Sequence, residues 1–208
     1  MKSGSILIKM AACAALVLGF GFNDALAQTH VKAATGGTIL NISKLTGNGP
    51  RALMRCQETS GRAHSYTGGI PQWAELSVQF DTVPDWIDEV TFQFYALLKS
   101  KGSGDYTLLK GNLTYIDVAR GRGHLGVAYV RPSALARYGE GGIVGVAVEA
   151  LVKGEVVSTL SEGKLGAGKP LPQEWWQNKN LVPKEGYIVE KSKTPFALVN
   201  FDDYEAVK

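Results

Sequence analysis

The sequence predicts an all-β protein, an antiparallel two-sheet sandwich with an extended C-terminal segment, and three observations carry that prediction. The stretches Trp73–Asp81 and Val90–Lys99 alternate apolar and polar residues, the period of a half-buried strand. Between residues 73 and 160 about seven short segments of strand character succeed each other, each bounded by turn residues. No helical periodicity of crossover length lies between them, which argues against a parallel βαβ architecture.

Taken in order, Thr38–Leu45 reads as a first strand and Thr46–Pro50 as a turn. Ala52–Gln57 is a candidate second strand, and Ser60–Gly69 reads as loop. In Trp73–Asp81, Ala74, Leu76, Val78 and Phe80 share one face, while Glu75, Ser77, Gln79 and Asp81 share the other. Pro84-Asp85 breaks the pattern, and Val90, Phe92, Phe94, Ala96 and Leu98 resume it. Ser100–Asp105 is a Gly/Ser turn, so the segments flanking it are expected to pair as antiparallel neighbours. Tyr106–Lys110, Leu113–Val118 and Leu125–Val130 are three further strand candidates, separated by Gly111-Asn112 and Gly121–Gly123. Pro132–Tyr138 suits a single helical turn. Ile143–Val152 and Glu155–Leu160 read as a hairpin joined by Lys153-Gly154.

Four regions follow. Residues 1–27 have the parts of a secretory signal: Lys2 and Lys9, an apolar run from Met10 to Phe22, and the small-x-small site Ala25-Leu26-Ala27. The run is shorter than the roughly 20 residues a membrane-spanning helix needs. The expectation is an exported protein, in the periplasm, at the outer membrane or outside the cell. Residues 28–37 form a polar, Gly-rich arm, residues 38–162 the sandwich, and residues 163–208 a C-terminal extension. Without Lys2, Lys9 and Asp24, the 22 basic and 19 acidic residues become 20 and 18, a net of +2. That balance, with no basic tract, argues against nucleic acid or anionic lipid as a partner, and no later stretch is apolar enough to span a membrane.

The chain has little that points to catalysis. Cys13 lies within the apolar run, which leaves Cys56 as the one mature cysteine, without a disulfide partner in its own chain. It is a buried small hydrophobe, an intermolecular linker or a nucleophile, and the first is favoured because unpaired cysteine is among the most buried residue types. Gly121–Gly126 matches G-x-G-x-x-G, but strand residues follow it where a dinucleotide site requires a helix. His30, His64 and His124 lack ligand spacing, which argues against zinc. The acidic groups Asp81/Asp85/Asp88/Glu89 and Asp202/Asp203/Glu205 suit a glycosidase pair or calcium only if they face a common groove, and solvated loop acids are the simpler reading. No catalytic, cofactor-binding or metal-binding residues are therefore assigned, and the protein is not expected to be an enzyme.

The aromatic residues are the better candidates. Trp73 and Trp86 suit core packing, whereas Trp175-Trp176 stands equally for packing and for recognition. Leu160–Gln173 is a Gly/Lys/Pro linker, after which Pro195–Phe201 reads as a terminal strand or an extended segment laid across the sandwich. A tail this apolar packs on its own domain or on a partner, because exposed Trp, Phe and Leu cost solubility. Trp175, Trp176, Phe196 and Phe201 are the candidate interaction residues.

Ala134-Leu135-Ala136-Arg137-Tyr138-Gly139, ahead of the apolar strand from Ile143, resembles the tyrosine corner of immunoglobulin-like domains. With the run from Val90 to Ser158 and the tail Pro195–Lys208, the chain is similar to small exported immunoglobulin-like β-sandwich proteins associated with type IV pilus gene clusters of mucin-degrading Gram-negative gut bacteria. That resemblance implies a role in pilus assembly, adhesion or envelope organisation, with envelope or pilus proteins as partners. It transfers no site residues. A carbohydrate-binding module using exposed tryptophans is the alternative, and a hydrolase with an unrecognised acidic site is a third reading.

Overall fold

The computed structural model describes residues 39–47, 53–55, 72–100, 102–139, 142–165, 168–197 and 204. The signal segment, the arm to residue 37, the Ser60–Gly69 loop, His30, Cys56, His64 and Phe201 lie outside these residues.

Among the described residues the protein is mostly antiparallel β-sheet, as the sequence predicts. The strands among these residues are β1 (Leu40–Thr46), β2 (Leu53–Arg55), β3 (Gln72–Lys99), β4 (Tyr106–Val130), β5 (Ile143–Val152), β6 (Glu155–Gly163) and β7 (Ile188–Glu190), accompanied by an α-helix, α1 (Pro132–Tyr138). The sheet order is β6-β5-β3-β4-β7, and β1 and β2 pair with the first part of β3. Two of the expected turns fall in place, Ser100–Asp105 and Lys153-Gly154. Ser100 N–H donates to Asp105 O at 2.9 Å across the β3–β4 connection. Lys153 (φ 53°) and Gly154 (φ 81°) both adopt the left-handed conformation that a two-residue hairpin turn demands. Helix α1 starts with Pro at its N-terminus and ends where Gly139 N–H bonds Leu135 O, and it buries Ala134 against the core.

The count of strands between residues 73 and 160 is lower than the sequence suggests, because β3 and β4 each run through residues that read as breaks. Pro84-Asp85 lies inside β3, and Gly111-Asn112 and Gly121–Gly123 lie inside β4. Pairing continues across these points, with register shifts between Phe80 and Thr82 and between Thr82 and Trp86. Such bulges bend a strand without ending it. Side chains cover for the disturbed ladder: Thr82 Oγ1 donates to Ala119 O at 2.7 Å and accepts from Gly121 N–H at 3.0 Å. Asp81 Oδ1 accepts from Gly123 N–H at 2.7 Å, where Gly123 takes φ 73°. The G-x-G-x-x-G run is thus the bulged corner of a strand, with no helix after it.

The bend folds the long hairpin back on itself, so that its two halves face one another across a common core. Ala74, Leu76, Val78 and Phe80 from the first half meet Val90, Phe92, Phe94, Ala96 and Leu98 from the second in one buried cluster. Strand β1 closes the side, where Ile42 N–H donates to Ser158 Oγ on β6 at 3.1 Å. The opposite parity points outward. Tyr95, Leu97, Leu108 and Ala147 form one apolar outer patch, and Trp73, Val127 and Tyr129 form another. Both are covered by residues that follow β6. No helix among the described residues is long and apolar enough to cross a membrane.

Candidate functional site

Strand β5 pairs with β3 so that Glu149 lies directly opposite Gln93 and Ala147 opposite Tyr95, all on the outer face. A charged residue at such a position is normally solvated, but Glu149 is only 8% exposed. The covering comes from a 3-10 turn, Trp175–Gln177, entered through Glu174 in the left-handed region at φ 53°. That turn sets Trp176 over Tyr95 with ring centroids 6.2 Å apart, and Trp175 edge-on to Trp176 at 5.6 Å.

The buried carboxylate is held by neutral donors. Trp176 Nε1–H donates to Glu149 Oε1 at 2.8 Å, and Gln177 Nε2 reaches the same oxygen at 3.4 Å. Tyr95 O–H lies 3.1 Å from Glu149 Oε2 and 2.7 Å from Gln93 Oε1. Burial, then the negative charge and hydrogen bond of Glu149, hold the Tyr95 phenol well above its ordinary ionisation range. Lys110 Nζ sits 5.9 Å from the Tyr95 ring centre, adding a cation beside the same ring.

A pair of glycines makes room for the tail. Gly145 on β5 and Gly163 on β6 are register partners, and a Cβ on either would collide with Leu171 Cδ1. The two form a notch that Leu171 fills, which places the following Pro172–Leu181 stretch along the outer face. Between that stretch and the sheet lies a groove of about 510 Å³, walled by Leu97, Tyr106, Leu171, Trp175 and Leu181, with Gln177 at its rim. Trp175 is only 5% exposed, and its Nε1–H is buried without an acceptor among the described residues. Buried polar groups are rarely left so.

The other candidate residues fall elsewhere. Phe196 is buried on the second outer patch, stacked on Tyr129 at 5.2 Å and edge-on to Trp73 at 6.1 Å. Trp175, Trp176 and Phe196 are thus packed on their own chain, while Phe201 lies outside the described residues. Trp73 is buried as its alternation suggests. Trp86 is not: it stands 65% exposed where the β3 register jumps and the chain turns outward. Asp85, beside it, is 3.6 Å from Arg120 in an exposed ion pair. His124 is half-buried, its ring 5.2 Å from Phe80 and its Nε2 3.3 Å from Thr82 Oγ1. Tyr138 stands edge-on to Tyr187 at 5.8 Å, between Arg137 and Lys184. Among the described residues no group of three or more His, Cys, Asp or Glu could hold a metal ion. The buried Glu149 was missed from the sequence. Its one signal was a charge inside the apolar run Val144–Leu151, at a position whose neighbours in the alternation are apolar.

Fold and site together define a mostly antiparallel β protein with a groove on its outer face built by the segment that follows β6. A family model matches residues 62–208, and the chain belongs to that family. A solved crystal structure from Akkermansia muciniphila, a mucin-degrading gut bacterium, is 21% identical with a TM-score of 0.57. The match covers 88% of this chain and 97% of that one, which shows a shared fold. No curated protein matches the chain.

Proposed function

We propose that this protein is an exported, non-enzymatic binding module, and that its partner docks in the groove beside Trp175. The observation that carries this reading is the open groove of about 510 Å³ between the Pro172–Leu181 stretch and the sheet, lined chiefly by Leu97, Tyr106, Leu171, Trp175 and Leu181. A concave, mostly apolar site with a few polar groups is the usual form of a binding site. The signal-like residues 1–27 support export to the periplasm, the outer membrane or the exterior. The resemblance of Val90–Ser158 and Pro195–Lys208 to immunoglobulin-like proteins of pilus gene clusters supports a role in type IV pilus assembly, adhesion or envelope organisation. The test is capture from the native envelope with the wild-type protein and with Leu181→Asp as baits, the captured proteins identified by mass spectrometry. One envelope protein retained by the wild type and lost by the variant is expected; equal capture by both would remove the groove from the account.

A second reading has its own observation. Trp86 is the one tryptophan of the four that presents its ring to solvent, beside Asp85 and Arg120. An exposed ring flanked by polar groups suits a sugar face. Quenching of tryptophan fluorescence by a glycan, lost in Trp86→Ala, would favour it.

A further inference from the structure

A second polar cluster forms where α1 meets the segment ahead of β7, and none of its residues lines the groove. Tyr138 is the last residue of α1, and Tyr187 stands edge-on to it at 5.8 Å, their hydroxyls joined by a hydrogen bond. Arg137 Cζ lies 5.1 Å from the centre of the Tyr138 ring and Lys184 Nζ lies 5.3 Å from it, so both cations are held on one ring. Backbone bonds fix the parts that carry them. Lys184 N–H donates to Leu108 O and Lys184 O accepts from Lys110 N–H, each at 2.9 Å. Tyr187 O accepts from Arg131 N–H at 2.8 Å, which ties the segment to the start of the helix. Arg137 and Lys184 are exposed, and neither makes an ion pair with a described residue.

Two like charges gathered on one ring repel each other, and an anion set between them turns that repulsion into attraction. The hydrogen bond and charge interaction with Tyr138 hold the Tyr187 phenol above its ordinary range, while Arg137 and Lys184 pull it the other way. The Tyr187 hydroxyl therefore stays protonated at neutral pH, and both cations act on it. A guanidinium, an ammonium and a phenol are all donors, and no carboxylate joins them, so the cluster suits an anion and not a cation. Those three kinds of donor match the three terminal oxygens of a sulfate or phosphate monoester, where a carboxylate offers two. We infer that Arg137, Lys184 and the Tyr138–Tyr187 pair form a binding site for a sulfate or phosphate monoester, its charge met by the two cations and its third terminal oxygen by a phenol hydroxyl. The site is separate from the groove, and either can fail without the other.

Ring resonances of the full chain labelled with 13C-tyrosine test it, with Tyr138→Phe and Tyr187→Phe assigning the two sets of peaks by their loss. The probes are methyl sulfate and methyl phosphate at millimolar concentration, against acetate and chloride, all at one ionic strength so that screening is constant. The expected result is a saturable shift of the Tyr138 and Tyr187 peaks with one or both esters, a weaker one with acetate and none with chloride. The ester that binds more tightly tells a sulfated ligand from a phosphorylated one. Arg137→Gln and Lys184→Gln, both at exposed positions, should each weaken that ester about tenfold or more, the loss of one charged hydrogen bond. No saturable shift with either ester, or an affinity unchanged in both variants, would overturn the site. Acetate bound as tightly as the esters would overturn the monoester assignment and leave a general anion site.

Discussion

Phe80 and Phe92 belong to the same strand, yet their ring centroids stand 4.8 Å apart. A straight strand, rising about 3.3 Å per residue, would hold them about 40 Å apart. The closeness arises because the bulges around Thr82 turn β3 back over itself, and β4 follows. On β4 the hydroxyl of Tyr115 accepts from Val127 N–H at 3.3 Å in the same way. The core is therefore made largely by one hairpin facing itself.

Phe92 is the centre of that contact, with Phe80, Phe94 and Tyr115 around it. Phe92→Ala should cost about 3–5 kcal/mol in urea unfolding. A loss below about 1 kcal/mol would show that the two halves of the hairpin do not share a core.

Trp176→Phe keeps the ring contact with Tyr95 but removes the shorter donor to Glu149 Oε1. The cost should be about 1–3 kcal/mol, that of a buried acceptor left short of a partner. In a double-mutant cycle with Glu149→Leu, which removes the acceptor, a coupling near zero would deny that this bond matters.

Stability should fall at alkaline pH. The Tyr95 phenol is raised from 10.0, and Tyr187 is raised too, chiefly through its bond with Tyr138. Below about pH 10 both phenols are neutral in either state. Above it the unfolded chain loses protons that the folded chain keeps, so unfolding is favoured as pH rises. Thermal melts from pH 8 to 11 should show a falling Tm, and Tyr95→Phe should flatten the fall. The same slope in wild type and variant would show that Tyr95 is not its source.

Two glycines separate backbone from packing effects. Gly154 holds φ 81° with no atom near its missing Cβ, so Gly154→Ala should cost about 1–2 kcal/mol through conformation alone. Lys153→Asn in the same turn should stabilise by about 0.5–1 kcal/mol, because Asn tolerates the left-handed region better. Gly126 is crowded instead: its Cβ would stand 3.1 Å from Tyr115 Oη and 3.2 Å from Val78 Cγ1. Gly126→Ala should cost about 1–3 kcal/mol, and Tyr115→Leu should recover part of it by vacating the space. Chemical denaturation reads all four, and equal losses for Gly154→Ala and Gly126→Ala with no rescue would undo the distinction.

The inward faces of β3 were legible because Ala74–Phe80 and Val90–Leu98 alternate cleanly, and so was the hairpin at Lys153-Gly154. The bend was not, because Pro84 and the glycines of β4 carry the same composition whether a strand ends or bulges. Only the partner across the ladder decides. Trp86 misled for the same reason, since a register jump reverses the face of whatever follows it. The groove depends on Gly145 and Gly163, which are separated in sequence and meaningful only as cross-strand partners. Glu149 is buried because distant residues cover it, and no local pattern announces that.

The placement of Trp175, Trp176, Val189 and Phe196 has a consequence for how the molecule comes into being. A ribosome releases the hairpins before these residues, so for part of its synthesis the newborn chain holds two bare greasy flanks. A transcript cut short before codon 175 would encode strands that can assemble but cannot be sealed, and such a fragment should clump with its own kind. The stretch from Trp175 to Phe196 is what seals both flanks.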